Sequence, residues 1–387
     1  MKASAFVYPW DVNGDPQAPA RIAGLGVEQV TLAAAYHSTR ALTPRHPRHR
    51  IVTAEHAAVL YPADARRWEG RTPRPYPAGD WAPGDAFGEA ADALAAAGLQ
   101  VHTWVVLAHN SRLGAEHPAT SVVNAYGDRY PWAPCIAQPA TRAYLVDLAA
   151  EAAVRPGARG TELESLGWYG LQHLHAHDKT AGVGLGEAGQ YLMALCFCPA
   201  CRDGYGEQGL DADELAASVR AALEPLWQGA AADDGGWAGV EKLLGEGTAA
   251  ATRAWRDRTA RTLQEDAVAA VRASAPEGFQ VLLHADPVSY HCGANPGVDP
   301  AHILSVADGV VVPCAGGTEP LTPFAEQGRA GAVIAANFTV VSGMGGSPGT
   351  LRADAARARE LGATELRLYH AGLASDGDLA SVREALR

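Results

Sequence analysis

Long apolar runs are missing from this 387-residue chain. Nothing approaches about 18 uninterrupted apolar residues, so no segment is expected to span a bilayer and no membrane partner is expected. Cysteine is scarce, with six residues in all, too few for a disulfide scaffold. A basic surplus is absent too. The 31 Lys+Arg against 43 Asp+Glu give a formal net charge of −12, and because neutralising phosphates needs a net basic face, nucleic acid is not an expected partner. The apolar stretch in the opening Met1-Lys2-Ala3-Ser4-Ala5-Phe6-Val7-Tyr8-Pro9-Trp10-Asp11 is short, holds a proline and leads to no small-residue cleavage site, so it reads poorly as a signal peptide. No repeat of roughly 20–50 residues is found. What remains is 48% hydrophobic and 19% charged, the composition of a folded, enzyme-sized protein with an expected cytoplasmic location.

Short β-rich runs alternate with Ala-rich helical stretches throughout. The strands are expected at Ser4–Tyr8, Val27–Ala35, Gln100–Leu107, Gly160–Gly167, Phe279–His284, Gly309–Val312, Ala332–Asn337 and Thr364–Tyr369. Several are continuous apolar runs, as strands covered on both faces must be, which favours a parallel sheet. Helices are expected at Gly84–Ala97, Pro139–Ala153, Leu210–Leu226, Gly239–Ala273, Arg352–Leu361 and Leu379–Arg387. Eight such units make an α/β chain, a (β/α)8 TIM barrel over residues 1–387. The rival, a doubly wound open sheet, is weakened because no Gly-rich phosphate loop follows the first strand. The surplus length gathers in two insertions, about 36–84 after strand 2 and about 168–275 after strand 4. Gly229–Gly236 reads as a flexible link within the second.

In such a barrel the carboxyl ends of the strands converge on one pocket. Here those ends are polar and aromatic. Asp11, His37, Arg40, Trp104, His109, Asn110, Arg112, Trp168, His284, Asn337, Tyr369 and His370 are therefore candidate substrate-binding residues. Charge in such positions costs several kcal/mol unless it is paired or used. Glu162 and Glu164 lie two apart on strand 4 and share a direction, into the lumen if Leu163 faces the helices. Glu164, nearer the mouth, is the candidate general acid/base. Glycoside cleavage typically uses two carboxylates, one protonated and one ionised. Asp286 is the first candidate for the second, ahead of Asp11 and Glu319, although Asp286-Pro287 also reads as a turn. The three tryptophans offer stacking faces for sugar rings.

Cys196-Phe197-Cys198-Pro199-Ala200-Cys201 places three thiols within six residues. In a reducing compartment that spacing reads as metal binding, and a structural zinc takes four ligands. Cys135 is the first candidate for the fourth, with Cys292 and Cys314 as alternatives. This knuckle resembles that of glycoside hydrolase family 42 β-galactosidases, in which a similar C-x-C-x-x-C and one earlier cysteine hold a structural zinc. The segment Cys135-Ile136-Ala137-Gln138-Pro139-Ala140-Thr141-Arg142-Ala143-Tyr144 is similar to that earlier element. Glu164 resembles the acid/base of the wider retaining-glycosidase barrels, and the whole chain is similar to uncharacterised bacterial barrels classed as hypothetical glycosyl hydrolases. The specific motifs span about 100–205. The resemblance implies a zinc-bearing hydrolase acting on carbohydrate. Two positions depart from it: Leu163 stands before Glu164 where the clan has Asn, and strand 7 ends Ala335-Ala336-Asn337-Phe338 without the clan's nucleophilic Glu.

Weaker signals remain. His173, His175 and His177 alternate after strand 4, as a metal site would need, although loop histidines without a nearby carboxylate cluster are more often substrate contacts. The run Arg45-His46-Pro47-Arg48-His49-Arg50 is basic on an acidic chain and reads either as a solvated, salt-bridged loop or as a means of drawing an anionic substrate to the mouth. Gly343-Met344-Gly345-Gly346-Ser347 offers backbone N–H groups to a phosphate. The expected function is thus a cytoplasmic glycosidase with a carbohydrate substrate, a structural zinc and no organic cofactor, a homo-oligomer being compatible with the sequence. Its rivals are a metal-dependent sugar isomerase or epimerase and a catalytically inactive sugar-binding barrel.

Overall fold

The computed structural model describes residues 1–174, 177–232 and 235–387. His175 and the Asp233-Asp234 pair of the expected link lie outside the described residues. Eight parallel strands form the barrel: β1 (Lys2–Val7), β2 (Gln29–Tyr36), β3 (Gln100–Val106), β4 (Gly160–Glu164), β5 (Gln280–His284), β6 (Gly309–Pro313), β7 (Val333–Thr339) and β8 (Glu365–Tyr369). Each pairs with its neighbours in chain order, and β1 pairs with both β8 (Ala3↔Leu366) and β2 (Ala5↔Val30). The sheet is therefore closed, which excludes the open-sheet rival. All residues of β2 and β4 are buried, because helices cover one face and the lumen the other.

The covering helices follow in register: α1 (Ala18–Ala23), α2 (Ala86–Ala96), α3 (Pro139–Ala153), α4 (Glu246–Ser274), α5 (Pro300–Val306), α6 (Thr322–Gln327), α7 (Leu351–Glu360) and α8 (Asp376–Leu386). The single helix expected over Gly239–Ala273 is two, Trp237–Leu244 and α4. They part at Gly245, whose φ of 81° is open to glycine and costly to other residues. The short helices α1, α5 and α6 were not expected, since six or seven residues carry too few periodic positions to register.

Long loops do follow β2 and β4. The first folds into a hairpin, Thr39–Leu42 against Ile51–Ala54, and then lays Ala58–Val59 antiparallel on the end of β2. Its far side is tied to α3, where buried Glu151 accepts from the Trp68 indole N–H at 2.5 Å. The second carries the helices Gly186–Ala194, Pro199–Glu207, Ala212–Trp227 and Trp237–Leu244. A third excursion, after β3, holds the helix Ser111–Glu116 and the hairpin Ser121–Val123/Arg129–Pro134. The sequence reading placed no element there. Among the described residues, no helix is long and apolar enough to cross a membrane.

Candidate active site

The carboxyl ends of the strands open into a cavity of about 640 Å³, a size suited to a small ligand or part of a chain. Every strand contributes to its wall: Tyr8 directly after β1, Tyr36, Trp104, Glu164, His284, Pro313, Asn337 with Thr339, and Tyr369. His37 and Arg40 from the β2 loop, His109 from the β3 loop, Tyr169 and His173 from the β4 loop, and Asn295 from the β5 loop complete the rim.

The floor is an aromatic layer. Trp104 packs edge-on to Phe6 at 4.8 Å and to Tyr36 at 4.5 Å, and stacks on Tyr8 at 5.8 Å. The Tyr8 hydroxyl donates to that of Tyr36 at 3.0 Å. Burial pushes the phenols of Tyr8, Tyr36 and Tyr369 upward, so they act as neutral hydroxyls. A second row of rings, Tyr36–His37–His109–Tyr169, runs along the rim at centroid spacings of 4.2, 4.8 and 4.3 Å. Burial holds His37 down to about 4 and His109 to about 2, leaving both imidazoles neutral near neutral pH.

Within this apolar frame Glu164 is the one carboxylate among the described residues lining the cavity. The Trp104 indole N–H donates to its Oε2 at 2.7 Å. Burial nevertheless raises its pKa, against the lowering effects of His284 and of that indole. The backbone turns sharply straight after it: Ser165 has a φ of 57°, the one non-glycine residue with positive φ among those described. Its N–H donates to Ala294 and its carbonyl accepts from Ala108, so neighbouring loops hold the strained turn.

Glu162, one pleat deeper, is fully buried and differently served. Arg367 of β8 donates to its Oε1 at 2.5 Å, and the Thr31 hydroxyl donates at 3.1 Å. Burial alone would raise this carboxyl, but the Arg367 charge, with His284 and His102, brings it down to about 2. His284 stands between the two glutamates, Nε2 at 3.5 Å from Glu162 and Nδ1 at 3.8 Å from Glu164. Two carboxyls of one strand are thus driven apart, the lower ionised and the upper inclined to keep its proton, the arrangement that separates acid from base roles.

Eight of the expected site residues line this cavity: His37, Arg40, Trp104, His109, Glu164, His284, Asn337 and Tyr369. The others lie elsewhere. Asp286 lines an adjoining cavity of about 270 Å³ that shares only Asn295 with the first. There its Oδ1 accepts from the Val288 N–H, the turn that Asp286-Pro287 suggests, and its Oδ2 sits 3.1 Å from His291, whose far nitrogen meets Glu187 at 2.5 Å. Asp11 is buried behind Tyr8, accepting its N–H at 2.8 Å, and burial raises its carboxyl to about 7. His370 stacks on Tyr8 at 4.2 Å, wholly buried and held down to about 3 by that burial. Asn110 caps the helix Ser111–Glu116 by accepting from Leu113, and Arg112 pairs with Glu116 at 2.8 Å. The indole of Trp168 donates to the Arg256 carbonyl and lies under its guanidinium. Glu319 is exposed, outside the lining of the cavity.

The basic run does not face the mouth. Arg45 donates to the carbonyls of Ala371, Gly372 and Ala374, and Arg50 to that of His46. These guanidiniums close carbonyl-rich turns, which is why the expected anion funnel is not formed by them. Gly343 and Met344 of the glycine-rich segment lie on the cavity rim. The sequence reading made no site candidates of Tyr8, Tyr36, Tyr169, Asn295 and Thr339, while His173, weighed there as a substrate contact or a metal ligand, does line the cavity. Tyr8 and Tyr36 stand at strand ends, the one signal that marks them, but an aromatic there reads equally well as core.

Cys135, Cys196, Cys198 and Cys201 are buried together, their sulfur atoms all within 4.8 Å of one another. Cys135 Sγ lies 3.6 Å from both Cys198 Sγ and Cys201 Sγ. A tetrahedron of sulfurs about 2.3 Å from a central ion has edges of about 3.8 Å, so the group can bind a metal. The backbone N–H groups of Val123 and Cys198 point at Cys196 Sγ at 3.4 and 3.5 Å, donors suited to a thiolate. Cys292 and Cys314, the alternatives for the fourth position, lie outside this cluster.

Neither a family model nor a curated protein sequence matches this chain. Its structure is similar to solved ones. The glycoside hydrolase domain of PgaB (BpsB) from Bordetella bronchiseptica has a TM-score of 0.58 at 16% identity, covering 100% of this chain and 99% of that one. An α-L-fucosidase isoenzyme 2 from Paenibacillus thiaminolyticus scores 0.59 at 12% identity, with 100% of this chain covered but 49% of the fucosidase, so this chain spans about half that enzyme's length. Gan42B, a GH42 β-galactosidase, scores 0.55 at 11% identity, covering 100% and 56%. These likenesses show a shared (β/α)8 barrel fold. At these identities the likeness is one of architecture, and a fold of this kind does not by itself fix a reaction.

Proposed function

We propose that this protein cleaves a glycosidic bond, with Glu164 as the proton donor to the leaving oxygen. The observation that carries this reading is the placement of Glu164, buried at the end of β4 as the one carboxylate among the described residues lining an aromatic cavity and held there by the Trp104 indole N–H; burial pushes its pKa upward. Protonation of a departing alkoxide needs a carboxyl that holds its proton more tightly than an ordinary glutamate does, and burial shifts Glu164 in that direction. Trp104, Tyr36 and Tyr169 give the wall an apolar, aromatic character that suits the C–H side of a sugar, while His37, His109, Asn337 and Tyr369 would meet hydroxyls. Asn337 Oδ1 has no partner inside the protein, an acceptor suited to a substrate hydroxyl.

The pH profile tests the role. The alkaline limb of kcat/KM on an aryl glycoside should report the Glu164 proton, since activity falls as that proton is lost. Trp104→Phe removes an N–H that favours the ionised form. The limb should therefore move to higher pH in that variant, and a limb that stays put or moves down would separate Glu164 from the profile.

One observation favours a second reading. With Glu164 alone among carboxylates on the described cavity wall, the barrel could bind sugar without turning it over. Isothermal titration showing tight binding with no product would favour it. The isomerase reading has less support, because the one metal-capable group among the described residues is the cysteine cluster, away from Glu164.

The cysteine cluster we assign to a structural zinc. Four thiolates in a closed, buried set suit zinc and leave no open position for chemistry. Metal analysis of the purified protein should give close to one zinc per chain, and Cys198→Ser should lose it and lower the melting temperature. A metal-free wild type with an unchanged melting temperature would refute the assignment.

A further inference from the structure

A third cavity, of about 520 Å³, lies on the other side of the Thr39–Ala54 hairpin. One strand of the hairpin, Thr39–Leu42, lines the barrel cavity, while Ile51, Val52 and Thr53 of its partner line this one. Trp10 belongs to its wall and stacks on Tyr8 at 4.5 Å and 23°, and Tyr8 is itself a wall of the barrel cavity. The Tyr8–Trp10 stack is therefore a partition between the two. Trp81 lines the same cavity, braced edge-on by His56 at 4.9 Å.

Three buried polar atoms around this cavity have no hydrogen-bond partner: Nε1 of Trp10, which is 4% exposed, Nε1 of Trp81 and Oδ1 of Asn13. Buried polar groups are nearly always paired, so three orphans on one cavity mark places where something else supplies the partner. The rim carries both signs of charge, Arg48 and His49 with Asp80 and Glu89. Two members of the basic run thus find a place here. A purely apolar occupant would leave the donors and the acceptor unmet, and a phosphate-rich one would face the two carboxylates.

We infer that this cavity is a second carbohydrate-binding site, separate from the barrel mouth, in which a sugar ring lies against the Trp10 and Trp81 indoles and its hydroxyls meet their N–H groups and Asn13. An amphipathic ring, apolar on its C–H face and ringed by donors and acceptors, satisfies each of these features at once. The cavity stands on its own observations, while the choice of a carbohydrate rests in part on the glycoside-cleaving reading. The site holds a chain beside the mouth, with the hairpin and the Tyr8–Trp10 stack between it and chain in the barrel cavity.

Native gels of the full chain containing soluble galactan, xylan, mannan or starch test this, with tryptophan fluorescence titration of the retarding polysaccharide giving Kd. Trp81→Ala should weaken binding by about tenfold or more. Trp81→Phe should weaken it about fivefold with an unchanged melting temperature, because its Nε1 has no partner in the free protein. Glu164→Gln should be retarded as the wild type is. Equal retardation of wild type and both Trp81 variants would overturn the site, as would failure of all four polysaccharides to retard the wild type. Loss of retardation in Glu164→Gln would also overturn it, by placing the binding in the barrel. Trp81-dependent retardation in a protein that hydrolyses nothing would uphold the site and remove the glycosidase reading.

Discussion

Glu164→Gln is expected to lower glycoside-cleaving turnover by a factor of about 10²–10⁴ while leaving the fold intact. Glutamine matches the carboxyl in shape and can still accept the Trp104 indole N–H, now 2.7 Å from Oε2. It has no acidic proton to give. Stability sharpens the prediction. Burial raises the Glu164 pKa, so the folded state binds its proton more tightly than the unfolded chain does. Such a group detracts from stability as pH rises above its unfolded value, because the folded state must then either hold the proton or ionise in a dry site. The glutamine variant escapes that cost. Its melting temperature at pH 7 should equal or exceed that of the wild type, and should fall less between pH 5 and pH 8. Rates on a panel of aryl glycosides, read beside thermal melts, check both halves. Retained turnover in a folded variant would remove Glu164 from the reaction.

Arg367→Met should have the largest effect on stability, about 3–5 kcal/mol, measured by urea unfolding at pH 7. The guanidinium is fully buried and its removal strands the equally buried Glu162 carboxylate. The pair is not itself a source of great stability, since both partners are taken out of water; what costs is leaving one behind. Glu162→Gln/Arg367→Met should therefore recover much of the loss. The same geometry sets a pH dependence. Glu162 is held at about 2, well below an ordinary glutamate near 4.5, so its contribution is full above about pH 4.5 and drains away as pH falls toward 2. The acid limb of stability should flatten in the double variant. A single variant as stable as the wild type would show that Glu162 takes up a proton at little cost, against the ionised state described for it.

The barrel was legible because its signal is repeated. Eight apolar runs at workable spacing fix the architecture even where the boundaries of one run slip by a residue or two. β2, expected at Val27–Ala35, runs Gln29–Tyr36. The site was legible where a residue type is costly to bury without use, as with Glu164 and His284. It was less legible where the same side chain serves structure equally well. Asp286, His370 and Asp11 carry the right chemistry at the right strand ends, yet each turns into a local hydrogen bond or stack that only coordinates can show. Tyr8, Tyr36 and Tyr169 run the other way, since an aromatic at a strand end carries no mark that separates wall from core. The hairpin after β3 escaped notice because its strands of three and six residues alternate too briefly, with Pro131 and Pro134 interrupting the second.

The cysteine cluster has a topological meaning beyond its ligand count. Cys135 and Cys198 stand 63 residues apart, and between them the chain runs through α3, β4 and the Ser165 turn. An ion joining them closes a loop with the proposed proton donor inside it. Loop closure of this kind acts on the unfolded ensemble, removing freedom that the chain would otherwise surrender on folding. The turn that holds Ser165 at positive φ would thus lie in a stretch whose unfolded alternatives are restricted.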